Sequence, residues 1–304
     1  MPPSGGIVSL RFSLSLVPFL SLLLAIKEKE MNRQKVSISQ SLPIICFMFI
    51  IKKYILLYNL FMREDLKISI AHLYPKLLNL YGDLGNIITL KKRCEWRGIE
   101  VEFEQINIGD KIGVHDLYFI GGGQDKQQEE VVEELYSHKD NLLSQRDDGA
   151  VFLGICGGYQ LFGHYYQPHG KDKLQGLSLM DAYTIAGNKR FIGNVTVETE
   201  FLTPKTLVGF ENHSGLTYLE GESKPLGRVS VGNGNNGKDG FEGGRYKNVF
   251  GTYLHGSLLP KNPHFADYLI SLALEKRYGE KIELSPLDDK FELDAHYSVV
   301  GKTY

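Results

Sequence analysis

A cysteine held between glycines where a strand turns into a helix can act as a nucleophile. Gly154-Ile155-Cys156-Gly157-Gly158 has that arrangement. The apolar run Val151–Ile155 reads as a buried strand, and a helical pattern, Tyr159–Tyr166, follows the glycines. Such an elbow admits only small neighbours. It lifts the sulfur clear of the sheet at a helix N-terminus, where partial positive charge favours the thiolate. A thiolate there can attack a carbonyl carbon, and the amide after it can help hold the oxyanion. A lone cysteine is more often a small buried apolar residue. Cys94, on a helix with Ile87, Ile88 and Leu90, fits that description, whereas Cys156 does not.

A cysteine nucleophile needs a base to take its proton and return it to the leaving group. Of nine histidines, His255 has the best setting. It stands in Gly251-Thr252-Tyr253-Leu254-His255-Gly256, just past an apolar strand and before a loop. His213, in Glu211-Asn212-His213-Ser214-Gly215, is the competitor. Without Cys156 either would read as an ordinary strand or loop histidine.

The elements that must position these residues alternate in type. Lys67–Tyr74 alternates like a strand, and Asp83-Leu84-Gly85-Asn86 opens a helix ending near Gly98. Strict alternation over Ile99–Ile106 predicts a strand with one buried face. Asp116–Ile120 predicts a buried strand, followed by Gly121-Gly122-Gly123-Gln124-Asp125. A single helix then carries Val131, Val132, Leu135, Leu142 and Leu143 on its apolar face, closed by Gly149. The alternation predicts an α/β fold, a mostly parallel sheet flanked by helices. Chemistry in such sheets sits at the carboxyl ends of the strands, where the triple glycine and Cys156 should face each other.

After Leu174 short strands are predicted at Ala182–Ile185, Asn194–Glu200, Val208–Asn212, Arg228–Val231 and Val249–Tyr253, then a last helix over Asn262–Tyr278. Residues 280–304 are polar and proline-containing, which predicts a loosely held tail after a domain spanning 62–279. Residues 1–61 differ from the rest. Two apolar runs, Ile7–Ile26 and Leu42–Phe61, approach the length of a membrane span, and the first also resembles a signal peptide. Arg11, Pro18, Lys52 and Lys53 interrupt them. The favoured expectation is an upstream extension from a misplaced start, because Met62-Arg63-Glu64-Asp65 leads directly into the first credible strand.

Three cysteines with no C-x-x-C pair predict neither a disulfide framework nor a zinc site, and suit a reducing compartment. The net charge of -2 hides an asymmetry: residues 1–61 sum to +5 and the remainder to -7. An acidic body argues against a nucleic-acid partner. Gly232-Asn233-Gly234-Asn235-Asn236-Gly237-Lys238-Asp239 nearly fits a phosphate-binding loop. Its eighth position is Asp239 rather than a hydroxyl residue, and no helical pattern follows, so a hairpin or surface loop is expected.

Taken together, Ile155-Cys156-Gly157-Gly158-Tyr159-Gln160, the Gly121–Asp125 loop, Phe210-Glu211-Asn212-His213 and Gly251–Gly256 resemble the class I glutamine amidotransferases of the CobB/CobQ type. Leu78-Asn79-Leu80-Tyr81-Gly82-Asp83-Leu84-Gly85-Asn86 and Gly209–His213 narrow the resemblance to GatD-type glutaminase subunits of lipid II isoglutaminyl synthases. The resemblance runs from about Lys67 to the helix ending at Tyr278 and leaves residues 1–61 outside. It implies a flavodoxin-like class I amidotransferase fold, Cys156 as nucleophile and His255 as general base and acid. It further implies oxyanion donors among the amides of Gly122, Gly123 and Gly157. Arg190 falls where the family places a glutamine-binding arginine, and a guanidinium fork suits an α-carboxylate. Gln160 and Asn212-His213-Ser214 are further candidates for the pocket.

The resemblance also implies a partner, a MurT-like Mur ligase subunit in a heterodimer that binds lipid II, ATP and magnesium. No cofactor or metal is expected in this chain, and the setting is cytoplasmic, with lipid II met at the inner membrane face. Typical class I enzymes carry a Glu two residues after the catalytic His. Here Gly256-Ser257 follow His255, as in the CobB/CobQ type, so what orients the imidazole is left open. Two other readings remain: a cobyrinate or cobyric acid amidating system, and a non-catalytic amidotransferase-like module.

Overall fold

The computed structural model describes residues 66–302. The apolar runs between Ile7 and Phe61 lie outside the described residues. Among those described, no helix is long and apolar enough to cross a membrane.

The first half alternates as its sequence pattern demands. Strand β1 (Lys67–Leu73) leads through a short 3-10 turn (Leu80–Gly82) into α1 (Leu84–Glu95), then β2 (Glu100–Ile106) and β3 (Leu117–Ile120). The following helical stretch is two helices, α2 (Asp125–Ser137) and α3 (Lys139–Asp147), broken at His138 rather than continuous. Strand β4 (Val151–Ile155) runs into α4 (Gly157–Phe162). That helix is shorter than its pattern suggests. Gly163 turns extended, packed so that a Cβ there would stand 2.5 Å from Ala182 O, and Tyr165 and Tyr166 enter a strand.

The second half is strand-rich: β5 (Tyr165–Gln167), β6 (Leu174–Gln175), β7 (Ala182–Glu198), β8 (Thr206–Leu219), β9 (Gly227–Val231), β10 (Phe241–Glu242), β11 (Gly244–Tyr246) and β12 (Val249–Thr252). The strands predicted at Ala182–Ile185 and Asn194–Glu200 are parts of one long β7, whose register against β8 shifts between Ala186 and Phe191. Helix α5 (Pro263–Tyr278) and helix α6 (Lys290–Val299) complete the described chain.

Two sheets result. The first has the order β11-β12-β4-β3-β1-β2, parallel throughout except for β11. Its middle strands β3, β4 and β12 are buried on both faces, which is why Leu117–Ile120 and Val151–Ile155 read as unbroken apolar runs. Strand β2 is the edge, and Val101 and Phe103 are only partly covered there. The second sheet has the order β10-β9-β7-β5-β6, with β8 paired to β7.

The segment after Gly279 is held, not loose. Asp289, at the start of α6, takes two hydrogen bonds from the buried Arg93 guanidinium, at 2.6 and 2.8 Å. His296, fully buried, accepts from Thr206 Oγ1 at 2.7 Å and donates through Nδ1 to Lys261 O at 2.9 Å. These polar anchors carry little hydrophobic periodicity, so a pattern reading passes over them.

Candidate functional site

Three adjacent parallel strands deliver three parts of the site at their carboxyl ends. β3 ends in Gly121-Gly122-Gly123, β4 in Cys156, and β12 in Tyr253-Leu254-His255. Cys156 N donates to Thr252 O at 2.8 Å, which ties the elbow to the histidine strand.

Cys156 has φ 50° and ψ -101°, a strained conformation for a non-glycine residue. The glycines of the elbow are there for contact distance. A Cβ on Gly158 would sit 2.5 Å from Ile120 O, and one on Gly154 would sit 2.6 Å from the Phe162 ring. Cys156 is 9% exposed and His255 1%, so the pair opens to solvent through the sulfur side.

The triple-glycine loop lies against both groups. A Cβ on Gly122 would stand 3.1 Å from His255 Cε1 and 3.5 Å from Cys156 Cβ. Burial lowers the proton affinity of His255. The neighbouring Cys156 and Asp83 outweigh it and raise the pKa to about 10. The favoured charge state is therefore an imidazolium beside the sulfur.

Asp83, which sequence reasoning used only as a helix opener, is fully buried beside the histidine. Its Oδ1 lies 3.9 Å from His255 Nδ1, and its Oδ2 accepts the Gly122 amide at 2.6 Å. Its only sequence signal was the absence of an acid after His255, which says that a partner is missing but not where it is. The Gly122 N–H is thus committed. The loop amide left for a substrate is that of Gly123, whose N lies 2.9 Å from where a Gly157 Cβ would be.

Gln160 lies just behind the elbow with both ends of its amide engaged. Its Oε1 accepts from Gln128 Nε2 at 2.9 Å and its Nε2 donates to Tyr253 OH at 3.2 Å. Tyr253 OH continues to Thr217 at 2.6 Å, and Thr217 to Thr184 at 2.7 Å. Gln160 is a strut in a buried polar chain. His213, the competing base, belongs to the same interior. It stacks on Tyr253 with ring centroids 3.6 Å apart, and its Nδ1 bonds Gly215 O at 2.8 Å.

Arg190 lies on the exposed side of β7 and donates to Asn212 Oδ1 at 2.8 Å. Asn212 sits on β8 two residues beyond Phe210, which forms a backbone bridge with His255. Asn212, with Arg190 bonded to it, therefore lies about 7 Å along β8 from the bridge to His255.

The Gly232–Asp239 stretch is a loop, as expected, exposed at Gly232 and from Gly237 to Asp239 but turned inward between them. Asn235 and Asn236 are buried. The amides of Asn233 and Gly234 point at a carboxylate of the chain itself: Glu211 accepts them at 2.9 and 3.0 Å. Burial alone would raise the Glu211 pKa, yet these bonds and His213 hold it below the usual carboxylate value. The resemblance to a phosphate loop is physical in that the loop does hold an anion, and the anion is Glu211.

Residues 69–263 match the CobB/CobQ-like glutamine amidotransferase domain. The chain is 41% identical over 226 residues to the GatD subunit of the glutamine-hydrolyzing lipid II isoglutaminyl synthase of Streptococcus pneumoniae, covering 73% of this chain and 86% of that protein. It is 40% identical over 238 residues to the GatD subunit of Staphylococcus aureus, covering 78% of this chain and 96% of that protein. A probable cobyric acid synthase of Methanococcus maripaludis is 34% identical over 179 residues, 55% of this chain but 35% of that protein. With a glycine-flanked cysteine turn at a parallel strand end and a family domain spanning most of its described residues, the chain belongs to the CobB/CobQ-like glutamine amidotransferases, in the GatD group.

Proposed function

We propose that this chain is the glutaminase of a lipid II isoglutaminyl synthase, releasing ammonia from glutamine for a ligase subunit. The observation that carries the chemistry is the meeting of Cys156 and His255 against the Gly122 backbone. The acceptor is inferred from the two GatD subunits matched over 86% and 96% of their lengths.

In this reading the Cys156 thiolate adds to the side-chain amide carbon of glutamine, and the carbonyl electrons move onto oxygen. The Gly123 and Gly157 amides receive that oxyanion. Arg190, steadied by Asn212, binds the α-carboxylate. The imidazolium of His255 gives its proton to the departing nitrogen, ammonia leaves, and a γ-glutamyl thioester remains. His255 then takes a proton from water as the water attacks the thioester. Glutamate departs and the thiolate is restored.

Free ammonia needs an activated acceptor. A MurT-like Mur ligase partner, holding ATP and magnesium, would amidate the D-glutamate α-carboxyl of the lipid II stem at the inner membrane face. A cobyric acid-type acceptor is the weaker reading, because this chain corresponds to only 35% of the cobyric acid synthase it resembles. The test is ammonia release from glutamine by the full chain co-purified with its ligase partner, given lipid II, ATP and Mg²⁺. Release lost in Cys156→Ala, with amidated lipid II formed only by the pair, is the expected result. Hydrolysis without lipid II amidation would overturn the acceptor. No hydrolysis would overturn the glutaminase and favour a non-catalytic module.

A further inference from the structure

The histidine of this site has no carboxylate two residues along the chain, yet it raises a buried positive charge beside the nucleophile. Asp83 is the buried acid that meets it. It arrives from the other side of the sheet, on the connection between β1 and α1. Its Oδ1 makes no hydrogen bond among the described residues and lies 3.9 Å from His255 Nδ1. Its Oδ2 holds the Gly122 amide at 2.6 Å. The turn that carries it is fastened twice to the site: Leu80 N donates to Gly122 O at 3.1 Å, and Ser257 Oγ donates to Gly82 O at 2.6 Å.

We propose that Asp83 is the positioning residue of this site, one carboxylate that both orients the His255 imidazole and fixes the glycine loop beneath the reacting carbonyl. The proposal deepens the glutaminase reading and rests on it for the identity of the reaction. One oxygen turns Nδ1–H toward the acid, which leaves Nε2 for the sulfur and the leaving nitrogen. The other oxygen takes the Gly122 N–H out of competition and sets the peptide plane that precedes Gly123. Acid–base group and oxyanion loop are thereby held in fixed relation by a single side chain.

The other titratable groups around this pair do not supply the charge. His72 approaches Asp83 from β1, but burial keeps it neutral, with its pKa lowered to about 4. Tyr166 and Tyr253 face Cys156, and burial keeps both protonated. Lys261, whose Nζ comes near Gly256, has its proton affinity lowered by burial.

The experiment uses the full-length chain and its Asp83→Asn variant. The amide oxygen of Asn can still accept from Gly122 N, but its NH₂ cannot accept from His255. Steady-state glutamine hydrolysis is measured alongside the pH dependence of iodoacetamide alkylation at Cys156, located by peptide mass mapping. The expected result is a fall in kcat of about 10²–10⁴-fold, the scale on which an orienting carboxylate behind a catalytic histidine acts. KM should change by less than about threefold. The alkylation profile should move to higher pH, because the imidazolium that stabilises the thiolate has lost its counter-charge. A purely structural role would lower the amount of folded protein without moving that profile. Parent-like kcat and an unmoved profile in folded Asp83→Asn would overturn the proposal. Should that variant not fold, Asp83→Glu replaces it: a reduced kcat with a near-parental profile supports the proposal, and a parental kcat overturns it. Because alkylation needs no glutamine, a moved profile in a chain that hydrolyses no glutamine would retain Asp83 and remove the glutaminase reading.

Discussion

Phe210 and His255 exchange both backbone hydrogen bonds, His255 N donating at 2.9 Å and Phe210 N at 3.2 Å. The second sheet is thereby joined to the first at the histidine itself. Strand β8 carries Asn212 on one side of this bridge and is fastened by Asn262 on the other, whose side chain bonds both Val208 N and Val208 O. The region that would recognise substrate and the residue that would move protons are thereby tied through one backbone bridge.

Arg190→Lys should separate binding from chemistry. A lysine keeps the charge but loses the planar fork that meets both Asn212 and a carboxylate. KM for glutamine should rise about 10–100-fold, with kcat changed less than about threefold. Steady-state ammonia release measures both. A fall in kcat with KM unchanged would place Arg190 elsewhere in the cycle.

Glu211→Ala should destabilise the fold by about 2–4 kcal/mol, since the buried amide of Gly234 and the half-buried amide of Asn233 lose their acceptor. In a chain this size that is on the order of a 5–15 °C drop in Tm. Differential scanning calorimetry reads it directly, and an unchanged Tm would mean that water replaces the carboxylate at no cost.

Gly158→Ala should reduce both stability and hydrolysis. The new methyl would lie 2.5 Å from Ile120 O, so β3 and the elbow must part. Overpacking of this kind costs about 1–3 kcal/mol. The signature is a lower Tm together with a kcat loss greater than the Tm shift explains, because the displaced strand also carries the glycine loop.

Acid should unfold the protein early. His72 is buried and His264 half-buried, and the loss of water lowers the pKa of each to about 4. Above pH 6.5 neither state is protonated at these rings. As pH falls from there toward 4, the unfolded chain takes up protons that the folded chain refuses, so stability declines through that window. Each ring can contribute up to about 3 kcal/mol to the loss. Glu211, held below its ordinary pKa, adds to the decline once pH passes below the usual carboxylate range. Urea titrations between about pH 7 and 4 measure it, and His72→Phe should flatten the slope.

What the sequence made legible follows from how each part is encoded. The parallel sheet is written in apolar runs such as Val151–Ile155, and the elbow in glycines that a contact distance requires. Cys156 and His255 stand out in the sequence because each sits at the end of such a run. Asp83 was missed because its partner lies 172 residues away along the chain, and no local period connects them. At Gln160, Asn235 and Asn236 the sequence is silent for the opposite reason, because polar side chains there bond within the interior, which no pattern of apolar residues records. The break at His138 and the docking of α6 depend on individual polar contacts, which hydrophobic patterning does not record.

The clasp at His296 has a consequence for synthesis. The imidazole that fastens Thr206, at the head of β8, to Lys261, at the head of α5, belongs to the last described helix. A chain emerging from the ribosome therefore exposes Cys156, His255 and Asp83 before it exposes the bolt that secures the strand beside them. Until that helix arrives, β8 is tethered through fewer anchors. The order of residues along the chain thus places the fastening of β8 after every described strand.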